Sequence, residues 1–573
     1  MSMDYKIRYE EWLADTYFDE ATRSELAALK GNDKGIKERF YKDLEFGTGG
    51  LRGILGAGVN RMNIYTVRRA TQGLANYIKK QGGEKKGVAI AYDSRRMSPE
   101  FALDTALCLN ANGIKAYLFE SLRPTPELSF TLRNFGCIAG IVITASHNPS
   151  DYNGYKVYWE DGAQITYPKD VEIINEVNAI TDFSVAQTMD KEEALKNGLL
   201  VVIGKEIDDK YIAELKKLVL NPVSDEGKKL KIVYTPLNGT GNLPVRRILS
   251  ELGFEHVYVV PEQEHPDSGF TTVGYPNPED PKVFTLAKKL AQEVGADIIL
   301  ATDPDADRLG VQVRDNNGEF ILFNGNMTGA LLAEYEFSQK SEKGILPGDA
   351  ALIKTIVTGN ISDCIAAHYH ARLIEVLTGF KYIGEQIKYF EESGKGTFVF
   401  GYEESYGCLI GTHSRDKDAI VAVMALCEAA AYYKSEGSSL YEQMNRVYDK
   451  YGYYKEDVFS VTLKGIEGME KMKSIMESFR RNPPKEAGSY HTLKVRDYAK
   501  DTVTDLATGA VVPTGLLKSD VLYFELEEDA WCAIRPSGTE PKIKFYFGVK
   551  GGSMEDAEAK LNKLMNDPVF LVS

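Results

Sequence analysis

The 573-residue sequence predicts an α/β protein, three similar α/β modules around a central cleft followed by a C-terminal α+β domain. Three observations carry that prediction. From Gly87 onward, apolar strands alternate with helical stretches in three rounds of roughly 50 to 75 residues, the mark of a repeated unit. Each round closes with a buried strand running into a polar loop, TASHNP, DPDADR and GYEESYG in turn. After about residue 453 the texture shifts to strands and two helices without that alternation. A chain this long exceeds one hydrophobic core, and domains of about 100 to 200 residues predict three to five of them. The expected division is 1–207, 208–323, 324–452 and 453–573.

The elements follow in order. Residues 1–45 read as helical, with DEATRSELAALK and DKGIKERFYKDL at helical spacing. The glycine-dense loop GTGGLRGILGAG, Gly47–Gly58, offers backbone N–H groups and the forked donor Arg52 to an anion. It has neither a following GK[ST] nor a complete GxGxxG, so nucleotide binding is not supported. The first module reads GVAIAYDSR (strand), PEFALDTALCLNANG (helix), KAYLFE (strand), PTPELSFTLRNFG (helix) and CIAGIVITASHNP (strand), with Ser146 ending it. The second runs from LKIVYTPLNGTG to DIILATDPDADRLG, and the third from DAALIKTIVTGN to TFVFGYEES. The alanine-rich helix DKDAIVAVMALCEAAAYYKSE would close the third module. The last domain takes its strands from DVFSVTL, TLKVRDYA, VLYFEL and WCAIRPSGTEPKIKFYFGV.

Composition excludes several classes. A formal net charge of −15 opposes nucleic-acid binding and means that a phosphate site must be built from local cations or a metal. The six cysteines show no CxxC or other ligand spacing and read as reduced core thiols of a cytoplasmic protein. No stretch reaches the roughly 18 apolar residues of a membrane span. The expected partners are therefore small molecules, with neither nucleic acid nor membrane, and the chain is expected to be a monomer or homodimer.

The chemistry gathers at the strand ends. In IVITASHNPSDYNGYKVYW, Ile141–Trp159, a buried strand breaks into Ser146, His147, Asn148 and Pro149, which places a hydroxyl where α/β strands hold ligands. A turn or capping hydroxyl is the alternative for Ser146 taken alone. Asp303, Asp305 and Asp307 lie at i, i+2, i+4 directly after DIILA, and three carboxylates so close call for a hard divalent cation such as Mg²⁺ or Mn²⁺. An EF-hand is ruled out, because Arg308 stands at its glycine position and Arg314 at its glutamate. Arg535, Ser537, Gly538 and Thr539, with Lys542 and Lys544 downstream, combine hydroxyls, backbone and cations suited to a phosphate dianion. Glu403 and Ser405 of GYEESYG suit sugar hydroxyls, and Thr378, Gly379 and Lys381 of TGFKYIG add polar contacts at a neighbouring strand end. Lys417 in HSRDKD is flanked by acids, the setting of a solvated helix-start lysine, and His147 is equally open on sequence alone.

With TASHNP, DPDADR, a GEES-type loop and RPSGTEP in this order, the chain closely resembles the α-D-phosphohexomutase family over nearly its whole length. The resemblance implies four domains around one cleft, with a mobile C-terminal domain. It makes Ser146 the serine that carries a phosphoryl group, and Asp303, Asp305 and Asp307 the ligands of one Mg²⁺ held together with that phosphate on Ser146. It puts Arg308 beside them, sugar recognition on Glu403 and Ser405, and phosphate binding on Arg535, Ser537, Gly538 and Thr539. Lys417 matches a lysine assigned as general acid or base, Arg52 an active-site arginine, and His147 stands with them as a catalytic candidate. The implied reaction interconverts α-D-glucose 1-phosphate and glucose 6-phosphate through glucose 1,6-bisphosphate. The chain departs from the common GEESFG in reading GYEESYG, and Glu-Ser favours glucose over mannose phosphates without excluding pentose phosphates. Two other readings stay open here. DIILATDPDADRL loosely resembles the DxDx[TV] loop of an aspartyl-phosphate phosphatase, although Leu309 stands where Thr or Val is needed, and a non-catalytic sugar-phosphate sensor would retain the same groove.

Overall fold

The computed structural model describes residues 5–47, 50–463, 465–536 and 542–570. The chain forms two compact units, Met1–Leu322 with Gly384–Glu392 and Gly407–Ser435, and Phe323–Ile383 with Ser393–Tyr406 and Glu436–Ser573.

The three-fold alternation is present as one repeated sheet order. In the first unit, Ala116–Phe119, Val88–Tyr92 and Ala139–Ile143 lie side by side and parallel, the first strand of the module between its second and third. His256–Val259, Lys231–Thr235 and Ile298–Thr302 repeat this order, and in the second unit so do Arg372–Val376, Ala350–Thr355 and Thr397–Glu403. Parallel strands are covered on both faces and so read as near-continuous apolar runs; Ala139–Ile143 and Ile298–Thr302 are buried at every position.

Ser146 does not end the first module, in contrast to the sequence expectation. The chain turns back at the serine as Tyr152–Trp159, antiparallel to Ala139–Ile143 with Ile143 opposite Tyr155, and Leu200–Ile203 is added at the far edge. The second module does the same, with Leu309–Arg314 antiparallel to Ile298–Thr302. Each catalytic-type loop here is thus a tight reversal between a parallel strand and an antiparallel one, which stiffens it from both ends. Part of the glycine-dense stretch is also a strand: Gly50–Ile54 pairs with Tyr152–Trp159 and sets Arg52 opposite Gly154. A side chain at Gly50 would put its Cβ 1.8 Å from the Tyr155 carbonyl oxygen, so only glycine lets these strands meet.

The alanine-rich helix, Ala419–Ser435, packs on the strand Gly407–Ile410 just before it and also on Asn242–Glu251 and Leu309–Arg314 of the second module. Its Glu428 accepts the Leu220 and Asn221 N–H groups, and Ala431 meets Gly227. Its small side chains let it approach a crowded face that sequence adjacency could not identify. The N-terminal helices Tyr5–Ala14, Glu20–Ala27 and Asp33–Phe40 form their own aromatic core of Tyr9, Trp12, Phe18, Phe40 and Tyr65.

In the second unit the C-terminal strands form an antiparallel sheet ordered Tyr453–Thr462, Lys542–Gly551, Trp531–Pro536, Leu522–Leu526, Tyr490–Asp497, Thr502–Asp505 and Val511–Val512. Ile356, Val357 and Leu377 of the third module share a buried cluster with Tyr498, Tyr523, Trp531 and Tyr546 of that domain. Glu456 enters the same region beside Gly359. Burial raises its carboxyl to about 7 against the pull of Lys354 and an Asn326 hydrogen bond. A raised carboxyl keeps its proton in the folded chain, so its contribution to stability is complete below about pH 4.5 and is lost as pH climbs to about 7. Glu456→Gln is expected to stabilise the protein at pH 8 by roughly 1 to 3 kcal/mol and to flatten its stability between pH 5 and 7. Denaturant unfolding across that range checks this; equal pH slopes for both proteins would refute it. All six cysteines are free. Among the described residues no helix is long and apolar enough to cross a membrane.

Candidate active site

Ser146 sits in the left-handed region, φ 52°, and is 3% exposed. Its N–H donates to Thr144 Oγ1 at 2.8 Å, which fixes the turn from below. Its Oγ donates to Asp303 Oδ2 at 2.8 Å across 157 residues of sequence, and lies 3.1 Å from His147 Nδ1. The serine stands in a turn, and its hydroxyl is buried and aimed at the acidic loop.

Asp303, Asp305 and Asp307 are all buried, and one carboxylate oxygen from each lies within 4.8 Å of the others. The loop is built for closeness: Ala306 has φ 53°, and a Cβ at Gly239 of the NGTG turn would fall 2.5 Å from Pro304 Cα. Asp303 Oδ1 accepts the Asp307 and Arg308 N–H groups, both at 3.0 Å. Burial, then the neighbouring Asp305 and Asp307, push the Asp303 carboxyl far above its ordinary range. Burial works against the Asp305 carboxylate, but Lys156 together with hydrogen bonds from Asp303 and Thr125 brings Asp305 below its ordinary value. Asp305 Oδ1 and Asp307 Oδ1 are buried with no hydrogen-bond partner among the described residues. Two orphaned anionic oxygens in a set of three carboxylates fit a hard divalent cation, which oxygen donors of this kind bind.

Around the acidic loop stand cations from elsewhere in the same unit. Lys156 Nζ lies 2.7 Å from Asp305 Oδ2 and 3.3 Å from Asp307 Oδ2. Lys417 Nζ lies 3.2 Å from Asp307 Oδ2 and 3.3 Å from Asp416 Oδ1, and Tyr158 Oη donates to Asp416 at 2.7 Å. Lys417 is thus no solvated helix-start residue: it is 13% exposed, and its stem fills the space left by Gly407. Arg308 pairs with Glu279. Arg52 donates to Asn148 Oδ1 at 3.2 Å, at the back of the serine turn. Burial and then the cations Arg308 and Arg52 hold His147 far below the ordinary imidazole range, so it is neutral beside Ser146.

Ser146, His147, Arg52, the three aspartates, Arg308 and Lys417 are thus brought together in the first unit. In the second unit Glu403 Oε1 accepts the Gly379 N–H at 2.9 Å, which joins the GYEESYG and TGFKYIG loops. Ser405 is half-buried on that loop, Thr378 Oγ1 is buried without a hydrogen-bond partner among the described residues, and the Lys381 ammonium lies 5.1 Å from the Tyr382 ring centroid. Arg535 is the next-to-last residue of the strand Trp531–Pro536, opposite Lys544. Ser537, Gly538 and Thr539 lie outside the described residues.

Sequence reasoning missed Lys156, Thr125, Arg95 and Asp416. Thr125 Oγ1 donates to Asp305 Oδ2 at 2.8 Å and its N–H to the Asp305 carbonyl at 3.0 Å. The available signal for Lys156 was a charged residue inside the otherwise aromatic and apolar run GYKVYW, and for Arg95 a YDSR ending a buried strand. Replacing Lys156 by methionine leaves Asp305 without its nearest counter-charge. Metal-free K156M is expected to lose about 3 kcal/mol or more of stability, part of it regained with Mg²⁺. Denaturant unfolding with and without EDTA reads this, and an unchanged midpoint would contradict the electrostatic account.

Comparison with known proteins gives the family. Residues 43–183, 209–318 and 324–451 match the models of domains I, II and III of phosphoglucomutase/phosphomannomutase, each described as alpha/beta/alpha. A phosphoglucomutase of Staphylococcus epidermidis is 38% identical over 530 residues, 92% of this chain and 94% of the relative. One from Staphylococcus aureus is 36% identical over 533 residues, with the same coverage. Among solved structures, a putative phosphomannomutase from Thermus thermophilus superposes with a TM-score of 0.67 at 21% identity, covering 91% of this chain and 99% of its own. The open form of parafusin from Paramecium gives 0.66 at 18% identity, covering 92% and 93%. At those identities the two structures speak for the fold, whereas the near-full-length relatives above 30% carry the assignment: this chain belongs to the phosphoglucomutase/phosphomannomutase family.

Proposed function

We propose that the chain interconverts α-D-glucose 1-phosphate and glucose 6-phosphate, with Ser146 as the phosphoryl carrier. The observation that carries this reading is the 2.8 Å contact of Ser146 Oγ with Asp303 inside a buried acidic triplet that retains two orphaned oxygens. The two phosphate positions lie at opposite ends of the sugar, so direct internal transfer is out of reach and a carrier is needed. Phospho-Ser146 gives its phosphoryl group to the free sugar hydroxyl; the Ser146 Oγ–P bond breaks as the sugar O–P bond forms, giving glucose 1,6-bisphosphate. The bisphosphate reorients and returns its other phosphoryl group to Ser146, so that one phosphate has moved and the enzyme is restored.

Asp303, Asp305 and Asp307 would hold Mg²⁺ with the Ser146 phosphate, and the cation supplies charge neutralisation to a loose phosphoryl transition state. Lys417 is assigned the proton exchange with the sugar hydroxyl, because its ammonium is largely shielded and held in place by Asp307 and Asp416. Arg52, Arg308 and neutral His147 are assigned to phosphate contacts around the serine. Glu403 and Ser405, with Thr378, Gly379 and Lys381, are assigned to the sugar, and Arg535, Ser537, Gly538 and Thr539 to the phosphate that is not being transferred. The phosphatase reading is not favoured: Leu309 is the first residue of a buried strand, 2% exposed, and no hydroxyl stands there.

The test is a coupled assay in which glucose-6-phosphate dehydrogenase reports product formed from glucose 1-phosphate, run beside inorganic phosphate release. NADPH formation without stoichiometric phosphate release supports the mutase. Phosphate release without isomerisation overturns it. Mannose, glucosamine and ribose 1-phosphates in matched assays rank the substrates.

A further inference from the structure

The guanidinium of Arg95 lies beneath the serine turn with its side chain fully shielded from solvent. One of its terminal nitrogens donates to the carbonyls of Pro149 at 2.7 Å and Tyr152 at 3.2 Å. The other donates to the carbonyl of Ser146 at 2.5 Å and to that of Asn148. Four carbonyls of one short loop therefore converge on a single planar fork. A lysine ammonium, with three donors radiating from one point, could not span them.

The fork is itself held from two sides. Asp93 Oδ2 lies 3.3 Å from its Nε, while the same carboxylate accepts the Arg95 N–H at 2.9 Å, Ser98 Oγ at 2.8 Å and Thr144 Oγ1 at 2.6 Å. Thr144 Oγ1 in turn accepts the Ser146 N–H. Over the other side stands the Phe270 ring, its centroid 5.0 Å from the guanidinium carbon. Phe270 is fully buried, has φ 47°, and comes from the second module's long loop ahead of the helix Thr285–Val294. A non-glycine residue keeps a positive φ only where its surroundings over-determine it, and both Ser146 and Phe270 do so around this one guanidinium.

We propose that Arg95, fixed between Asp93 and Phe270, is a positioning residue for phosphoryl transfer: it gathers the loop carbonyls and keeps Ser146 in the left-handed conformation that aims Oγ at Asp303. Its part in catalysis rests on the transfer function proposed above, while its part in shaping the turn does not. Phe270 gives the second module a hold on the serine turn of the first through Arg95, so the distance between nucleophile and acidic loop is set partly by a ring packed on that guanidinium.

The test uses the full-length Mg²⁺ enzyme as wild type, Arg95→Lys and Phe270→Leu, with crystal structures and steady-state kinetics on glucose 1-phosphate. Arg95→Lys is expected to move Ser146 out of the left-handed region, carry Oγ out of hydrogen-bond reach of Asp303, and lower kcat about 100-fold with KM within about threefold. Phe270→Leu, which leaves every hydrogen bond of the fork in place, is expected to lower kcat about tenfold with the same KM. A folded Arg95→Lys enzyme whose serine turn superposes on the wild type, or whose kcat stays within about threefold of it, overturns the proposal. Should Arg95→Lys fail to fold, a wild-type turn and kcat in Phe270→Leu overturn it instead. Absence of mutase turnover in the wild type would sink the functional reading alone, and the crystal structures would still decide the positioning of the turn.

Discussion

Replacing Ser146 by alanine is expected to lower turnover by at least about 10⁴-fold while leaving substrate binding within a few-fold, because the carrier is lost and the binding groups are not. The change is small in structural terms. Alanine at 146 inherits the positive φ, and the loop keeps the four carbonyl bonds to Arg95 and the N–H bond to Thr144 that shape it. What disappears is the one oxygen 2.8 Å from Asp303. Mass spectrometry of the peptide containing residue 146 should find one phosphate on fresh wild-type protein and none on the variant. A variant that isomerises glucose 1-phosphate at near wild-type rate would remove the serine from the chemistry.

Removing the divalent cation should have the next largest consequence, on activity and stability together. Two carboxylates within 4.8 Å of each other repel by at least about 3 kcal/mol at an effective dielectric constant of about 20. Lys156 and Lys417 offset part of this, and the remainder shows in the Asp303 carboxyl, which burial and its two acidic neighbours hold far above its ordinary range. A cation held by the triplet would offset that remainder. Present at 100 times its Kd, it stabilises the folded chain by about 2.7 kcal/mol. EDTA should therefore abolish turnover and lower the first thermal transition, and added Mg²⁺ should restore both. Asp305→Asn should lose the Mg²⁺-dependent shift of that transition. A wild-type transition indifferent to millimolar Mg²⁺ would mean that the triplet is not a metal site.

Much of this molecule was legible in the residues. The parallel strands are near-continuous apolar runs, a pattern that survives any tertiary context, and their polar ends marked TASHNP, DPDADR and GYEESYG as the places to look. The crowding of Asp303, Asp305 and Asp307 follows from spacing alone, since i, i+2, i+4 in one turn cannot separate three carboxylates by much. Other features were not legible. The strand Gly50–Ile54 was hidden by its glycines, which are required for the close approach to Tyr152–Trp159 and also resemble a flexible loop. The additional packing of the helix Ala419–Ser435 on the second module could not be read, because its small side chains fit many surfaces and do not identify one.

The sequence by itself determined where charge and nucleophile would collect, because both are local: an acidic triplet within five residues, and a serine at the end of a buried strand. Only the tertiary structure decided what balances them. Lys156 reaches Asp305 across 149 residues, Ser146 reaches Asp303 across 157, and Arg95 underpins the turn from 51 residues away. Compensation of buried charge acts through space over a few ångströms, and the order of residues along a chain carries no record of which distant cation the fold will bring within that range.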